Sequence, residues 1–385
     1  MSSHFLKRLA SVKALAIGTA LLVGPGTLAA CGGSQSRSVG KAAKEAPKLP
    51  PVNPRALRQF DSALRALKLG GPNAQAKAMK RFESALELDD KLWEAWHNLG
   101  AILLAEGEVD RAADAFGKAL SINPTHRPAM AGQAEAYRLS GNNKKAAKAY
   151  RKLIELEPSS VDSYARAASL LRASGDYEDG LDLLREGLRV GGASSPIMVE
   201  LGLIYLAQGR DELAKLVLGK AVAINDKDPA IYNALALVAM GAGDDQLAFF
   251  YFDKAAELDP NYIDTRFNKA TVLLDAGDYQ GAKLELEAIT AIVPADQNVR
   301  VALGIAQRGI GEHDAARKTW DAVAKDSATR RGVRSDALFN LAILEMNFVM
   351  DDDKAIAALD RYLQDSSSKH SKHKEAVELR KELGE

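Results

Sequence analysis

Few side chains in this sequence could do chemistry, and the first is a thiol. Cys31 is the only cysteine among 385 residues. A single cysteine excludes an intramolecular disulfide, a four-cysteine zinc site and a CxxC redox pair, so stability has to come from packing. Six histidines offer imidazoles for acid–base work or metal binding. His4 lies near the start of the chain; His97, His126 and His313 stand apart, and each reads as a surface or interhelical residue rather than a ligand. His370 and His373 share a helix face three residues apart. No carboxylate or cysteine completes a metal site of known spacing around them, so they read as part of a solvated cap. Asp351, Asp352 and Asp353 would suit a cation, yet three acids ahead of a helix are accounted for by N-capping and the helix dipole. No GxxxxGK[ST], GxGxxG or GxSxG occurs. The sequence predicts no enzyme, no metal site and no small-molecule substrate.

The elements around Cys31 give the thiol a different meaning. Lys7, Arg8 and Lys13 precede the apolar run Ala14–Val23, Gly24, Pro25 and Gly26 break any helix, and Leu28, Ala29 and Ala30 lead directly into Cys31. Such a run is too short to span a bilayer as a permanent anchor and predicts a targeting segment over residues 1–30. Leu28-Ala29-Ala30-Cys31 resembles the bacterial lipoprotein lipobox. The resemblance implies a diacylglyceryl group on the Cys31 thiol, cleavage just before it and acylation of the new amine. Two or three acyl chains anchor stably where one is marginal, at about 0.8 kcal/mol per buried methylene. This covalent lipid is the only attached group implied, and no cofactor is expected. Gly32, not Asp, follows the cysteine, which by the same resemblance implies the outer membrane of a Gram-negative bacterium, on its periplasmic side. The alternatives are an ordinary secretory signal or a buried structural cysteine. Residues 31–54 hold few apolar side chains and several Gly, Ser and Pro, and are expected to form a disordered tether.

Charge narrows the partners. The 51 basic residues balance 51 acidic ones, which removes the footprint of a nucleic-acid binder. Loss of Lys7, Arg8 and Lys13 with the leader would leave a mildly acidic chain.

The rest repeats with a period of 34. Gly107, Gly141, Gly175, Gly209, Gly243, Gly277 and Gly311 are evenly spaced. Small residues recur in one column from Ala66 through Gly100 to Gly304 and in another from Ala78 to Ala316. A bulky column runs Phe82, Phe116, Tyr150, Leu184, Leu218, Phe252, Leu286, Trp320. Small columns let two helices approach, the bulky residue fills the gap toward the next unit, and the glycine ends the first helix in the left-handed conformation. Pro124, Pro158, Pro260 and Pro294 close several units. Each unit is predicted to be a helical hairpin whose apolar faces are satisfied only by its neighbours, which makes the chain an all-α solenoid.

The unit from Trp93 to Pro124 carries Trp96, Leu99, Gly100, Gly107, Ala112, Phe116, Ala119 and Pro124 in columns that resemble the tetratricopeptide repeat (TPR). The resemblance implies a right-handed superhelix of about nine hairpins over 55–369. Eight in-phase units lie near 59–92, 93–126, 127–160, 161–194, 195–228, 229–262, 263–296 and 297–330, and a ninth near 335–369. Residues 370–385 should form a polar capping helix. Lys269 and Gln133 sit in columns that are usually apolar, and Gly180, Gly187, Gly191 and Gly192 make the unit 161–194 the candidate hinge.

In this family the exposed face of each first helix lines a concave groove that binds partner proteins. Carried onto this chain, the lining columns are Val199, Leu203 and Leu206; Asn233, Leu237 and Met240; Phe267, Thr271 and Leu274; and Val301 and Ile305. They form an apolar stripe, preceded by a polar end at Glu94, His97, Glu135, Arg138, Ser169 and Arg172. The alternative is that curvature or the C-terminal helix buries the stripe. Asn98, Asn268 and Asn340 fit the generic repeat pattern, and the Lys and Asn set of the chaperone-binding members is missing. The combination resembles repeat lipoproteins of gliding-motility machinery. It implies a membrane-tethered scaffold binding envelope proteins, or else an adaptor for a cell-wall hydrolase or protease, or a pilotin-like factor for type IV pili or secretion.

Overall fold

The computed structural model describes residues 51–384 except 72, 295, 327, 328, 330 and 369. The leader, Leu28, Ala29, Ala30, Cys31 and most of the expected tether lie outside the described residues. Those described are helices and connections, in two bodies divided along the chain between Ile224 and Asn225.

The first body holds five hairpins: α1 (Pro54–Leu69) with α2 (Ala74–Leu88), α3 (Trp93–Ala105) with α4 (Val109–Ile122), α5 (Arg127–Leu139) with α6 (Asn143–Leu156), α7 (Val161–Ala173) with α8 (Tyr177–Gly191), and α9 (Ser195–Ala207) with α10 (Asp211–Ile224). The second holds four: α11 (Pro229–Gly241) with α12 (Asp245–Leu258), α13 (Ile263–Ala276) with α14 (Tyr279–Ile292), α15 (Gln297–Gly309) with α16 (His313–Lys325), and α17 (Arg331–Leu344) with α18 (Asp352–Asp365). A last helix, α19 (His373–Glu382), follows. Within each body, a first helix packs on the second helix of the hairpin before it, and several also touch that hairpin's first helix. None of the described helices is long and apolar enough to cross a membrane.

The columns explain the packing. All seven periodic glycines have φ between 71° and 82°, the region an L side chain pays to enter. The first small column faces the bulky column of its own hairpin. A methyl on Gly100 would stand 3.0 Å from the Phe116 ring, one on Gly202 2.7 Å from Leu218, and one on Gly304 would strike the Trp320 indole. Phe82, Phe116, Phe252 and Trp320 are buried in this way, each worth about 2–3 kcal/mol of transfer free energy.

The array starts where the expected tether ends. Pro54 occupies the first turn of α1, the Asn53 carboxamide oxygen accepts from the Arg55 N–H at 2.9 Å, and the Asn53 N–H donates to Asp89 at 2.7 Å. Val52 packs on the first core.

The expected hinge is a close-packed unit instead. Gly180 and Gly187 are buried inside α8, where a methyl would come within 2.9 Å of Ile204, and of Ile197 and Tyr164, respectively. On Gly191 it would lie 2.6 Å from Val161. These glycines let helices approach and do not loosen the unit.

The polar exceptions also have local reasons. Lys269 bonds to Asp253 at 2.8 Å and lies 3.3 Å from Glu285, and Gln133 donates to the Ala113 carbonyl at 3.2 Å. The ninth unit's enlarged turn contains a π-helical turn, Glu345–Val349, ending at Met350 in left-handed conformation. Asp351 then caps α18 by accepting from the Lys354 N–H at 3.0 Å. On the last hairpin α19 lays Ala376 and Leu379, followed by Leu383 just past its end, while its other face is mostly charged.

Candidate partner-binding face

The lining columns sit on first helices, and their exposure is set by the neighbouring hairpin. In the first body Val199 and Leu206 are buried and Leu203 is half-buried. The second body buries Asn233, whose carboxamide oxygen accepts from Asn268 at 3.0 Å across two hairpins. Leu237 and Met240 pack on Phe252 and Val272; Phe267 and Leu274 pack on a core of Ile263, Leu286 and Leu303. Thr271 returns its hydroxyl proton to the Phe267 carbonyl at 2.9 Å. Val301 and Ile305 lean on the Trp320 cluster. All eleven side chains are therefore partly or wholly covered by the protein itself. Asn98 and Asn340 bond to carbonyls of their own helices, Glu94 and Asp336.

At the polar end, charges pair internally. Arg138 holds Glu135 through two bonds of 2.8 and 2.6 Å, and Arg172 reaches Glu200 of the next hairpin at 3.0 Å. Ser169 is half-buried. Glu94 and His97 differ. His97 and His126 do not stand apart as their positions suggest: their ring centroids are 4.7 Å apart, His126 lies 4.4 Å from the Trp93 ring, and His97 5.7 Å from Phe116. Glu94 Oε2, His97 Nδ1 and His126 Nε2 are buried without a hydrogen-bond partner. Burial, then the neighbouring His126 charge, lowers the His97 pKa to about 4, and burial lowers that of His126.

The sign of the pH effect follows. A folded-state pKa below the ordinary 6.5 means that the unfolded chain takes up protons first as pH falls. Stability is fully present above about pH 6.5 and is lost as pH falls toward 4. The expected loss is about 1–2 kcal/mol, because half-buried imidazoles keep some hydration. Melting temperature against pH checks this, and a His97→Gln, His126→Gln double variant should flatten the slope in that window. An unchanged slope would remove the pair as its source.

The other described histidines have partners. His370 Nδ1 is 2.8 Å from the Tyr362 hydroxyl and its Nε2 3.4 Å from Asp336, His373 Nδ1 is 3.1 Å from Ser366 Oγ, and His313 packs on Phe348. Among the described residues, no group of three His, Cys, Asp or Glu side chains could hold a metal ion.

One apolar feature lies outside the predicted columns. Phe250 on α12 and Leu284 on α14 are 62% and 61% exposed, and Leu216 on α10 of the first body holds the same repeat position at 56%. The signal was in the sequence: that column carries Lys80, Asp114, Lys148, Asp182 and Lys318 elsewhere.

Tetratricopeptide-repeat family models match residues 93–126, 132–196, 171–238 and 239–300. The chain is similar to a tetratricopeptide repeat protein from Parabacteroides merdae ATCC 43184, at 14% identity and TM-score 0.55, over 66% of this chain and 98% of that one. A human IFIT1 dimer solved with m7Gppp-AAAA is similar at 17% identity and TM-score 0.52, over 86% of each chain. A thermophilic TPR protein of Thermus thermophilus is 27% identical over 47% of this chain and 99% of its own, at TM-score 0.39. No curated protein sequence matches the chain. The repeat matches together cover more than half of its length, so the chain belongs to the tetratricopeptide-repeat family, whose arrays are scaffolds for protein–protein interaction.

Proposed function

We propose that the chain is a lipid-anchored scaffold of a bacterial envelope complex, held through Cys31 at the periplasmic face of the outer membrane and presenting its repeats to envelope proteins. The observation that carries this reading is Cys31 itself: the only cysteine stands directly after Leu28-Ala29-Ala30, behind a basic start and a short apolar run. Two or three acyl chains on that residue would make anchoring stable. The array supplies no chemistry of its own in this reading; it gathers partners. A gliding-motility machine is the assembly that fits a long array behind an extended tether. Recruitment of a cell-wall hydrolase or protease, or pilotin-like assembly of type IV pili, is the alternative.

Two measurements test it. Wild type is expected in the membrane fraction, and a Cys31→Ala variant in the soluble fraction; a variant that stays membrane-bound would remove lipidation as the anchor. Affinity purification from envelopes then compares wild type with a Leu203→Asp, Leu237→Asp double variant. Loss of a defined set of envelope proteins at unchanged melting assigns binding to the lining columns. Equal capture by both, or a lowered melting temperature alone, shows that these half-buried leucines serve packing.

A further inference from the structure

Helix α6 presents a row of charge of one sign. Lys144, Lys145, Lys148, Arg151 and Lys152 are all exposed on it, against the single exposed carboxylate of Glu155 within the helix. Lys144 bonds to Asp176 at 3.2 Å, and the Lys145 ammonium lies 5.3 Å from the Tyr137 ring centroid. Lys145, Lys148, Arg151 and Lys152 have no carboxylate at ion-pair distance among the described residues.

The repeat supplies an internal control. The same five positions hold Asp110, Arg111, Asp114, Gly117 and Lys118 in α4, and Glu178, Asp179, Asp182, Arg185 and Glu186 in α8. Neither flanking unit needs five cations there, and the chain as a whole is neutral.

The row also works against the fold in two ways. Lys144 and Lys148, Lys145 and Lys148, Lys148 and Arg151, and Lys148 and Lys152 are like charges three or four residues apart on one helix face, where they repel. Lys144 and Lys145 stand in the first turn, at the positive end of the helix dipole, with no acid beside them in that turn. An anion laid along the row would relieve both.

We propose that this face docks on an anionic lipid bilayer. The row runs about 12 Å along one straight helix at a rise of 1.5 Å per residue. It contains no aromatic side chain on which a base could stack and no amide or hydroxyl with which to read a base edge or a peptide sequence. It recognises density of negative charge, which headgroups supply by rearranging around each cation. The setting rests on the membrane-anchored reading, in which an acyl anchor and a basic patch together hold more firmly than either alone.

The test uses residues 31–385 carrying Cys31→Ser, so that neither leader nor acyl chain contributes, sedimented with phosphatidylglycerol or phosphatidylcholine vesicles. Wild-type α6 is expected to bind the former and not the latter, and binding should collapse at high salt as the screening length shortens. A Lys148→Gln, Arg151→Gln, Lys152→Gln variant, identical elsewhere, should partition about a hundredfold more weakly, near fivefold per cation. It should melt at or above wild type, since repulsion has been removed. Equal binding by the variant, equal binding to both lipids, salt-independent binding, or preference for an oligonucleotide or polyglutamate over phosphatidylglycerol would each overturn the proposal. The salt titration needs no variant, so a folding defect cannot hide the answer. Because the protein lacks the acylated thiol, these results stand whether or not Cys31 is lipidated, and a lipidated chain whose α6 ignores phosphatidylglycerol would sink this proposal alone.

Discussion

Trp320→Ala is expected to cost about 3–5 kcal/mol, the range for removing a fully buried large aromatic. Trp320 is 0% exposed, its indole N–H donates to the Val301 carbonyl at 3.0 Å, and its ring lies over Gly304, where any side chain would collide. The deletion opens a cavity bounded by α15, α16 and α17 and orphans a carbonyl. Because repeats are stabilised by their neighbours, the damage should stay local. Hydrogen exchange should show lost protection across residues 297–344 and retained protection in α3 to α6. Uniform loss in both bodies would mean that they unfold as one and that nearest-neighbour bookkeeping fails here. Trp320→Phe, which keeps a ring in the gap, should cost less than half as much.

The second large effect belongs to the inserted turn. Glu345 is 3% exposed and takes two bonds from Arg317, at 2.5 and 3.0 Å, across adjacent hairpins. Glu345→Gln keeps the shape and removes the charge, leaving the half-buried guanidinium with Asp314 as its remaining carboxylate partner. An expected cost of about 2–3 kcal/mol, the low end for breaking a buried pair, reflects the partial exposure of Arg317. The same change should speed proteolysis near Met350, which is 77% exposed and follows the π turn that Glu345 begins. A double variant, Arg317→Met with Glu345→Met, should recover most of the stability, since an apolar pair has no desolvated charge to compensate. If the double variant is as unstable as the single one, packing around the turn, rather than the ion pair, is what matters.

These two sites show what a repeat sequence discloses. Trp320 could be placed without coordinates because it completes a column begun by Phe82, and a column is a statement about local geometry. The glycines were legible for the same reason: a left-handed residue between two helices has a cost that one residue type avoids. Glu345 was not legible, since the bulge that buries it depends on how a π turn settles between two hairpins. The His97 and His126 contact was hidden as well, because their spacing of 29 matches no helical or metal-ligand pattern. How much of each lining column stays exposed is not written in the repeat: Leu237 and Val301 are half-buried, and the hairpin beside each decides how much. The start of α1 was readable in Asn53 and Pro54, a cap and a first-turn proline, next to the expected start of the array at 55.

Several of the bonds that tie one hairpin to the next span similar lengths of sequence. Lys144 to Asp176 spans 32 residues, Lys283 to Glu312 29, and Arg317 to Glu345 28. Closing a loop of that size is inexpensive, and its cost hardly grows as the array lengthens. Low contact order makes such a chain quick to fold. Each hairpin can therefore settle as soon as its successor has been synthesised or delivered, without waiting for the far terminus, so the order in which the chain emerges becomes the order in which it acquires structure.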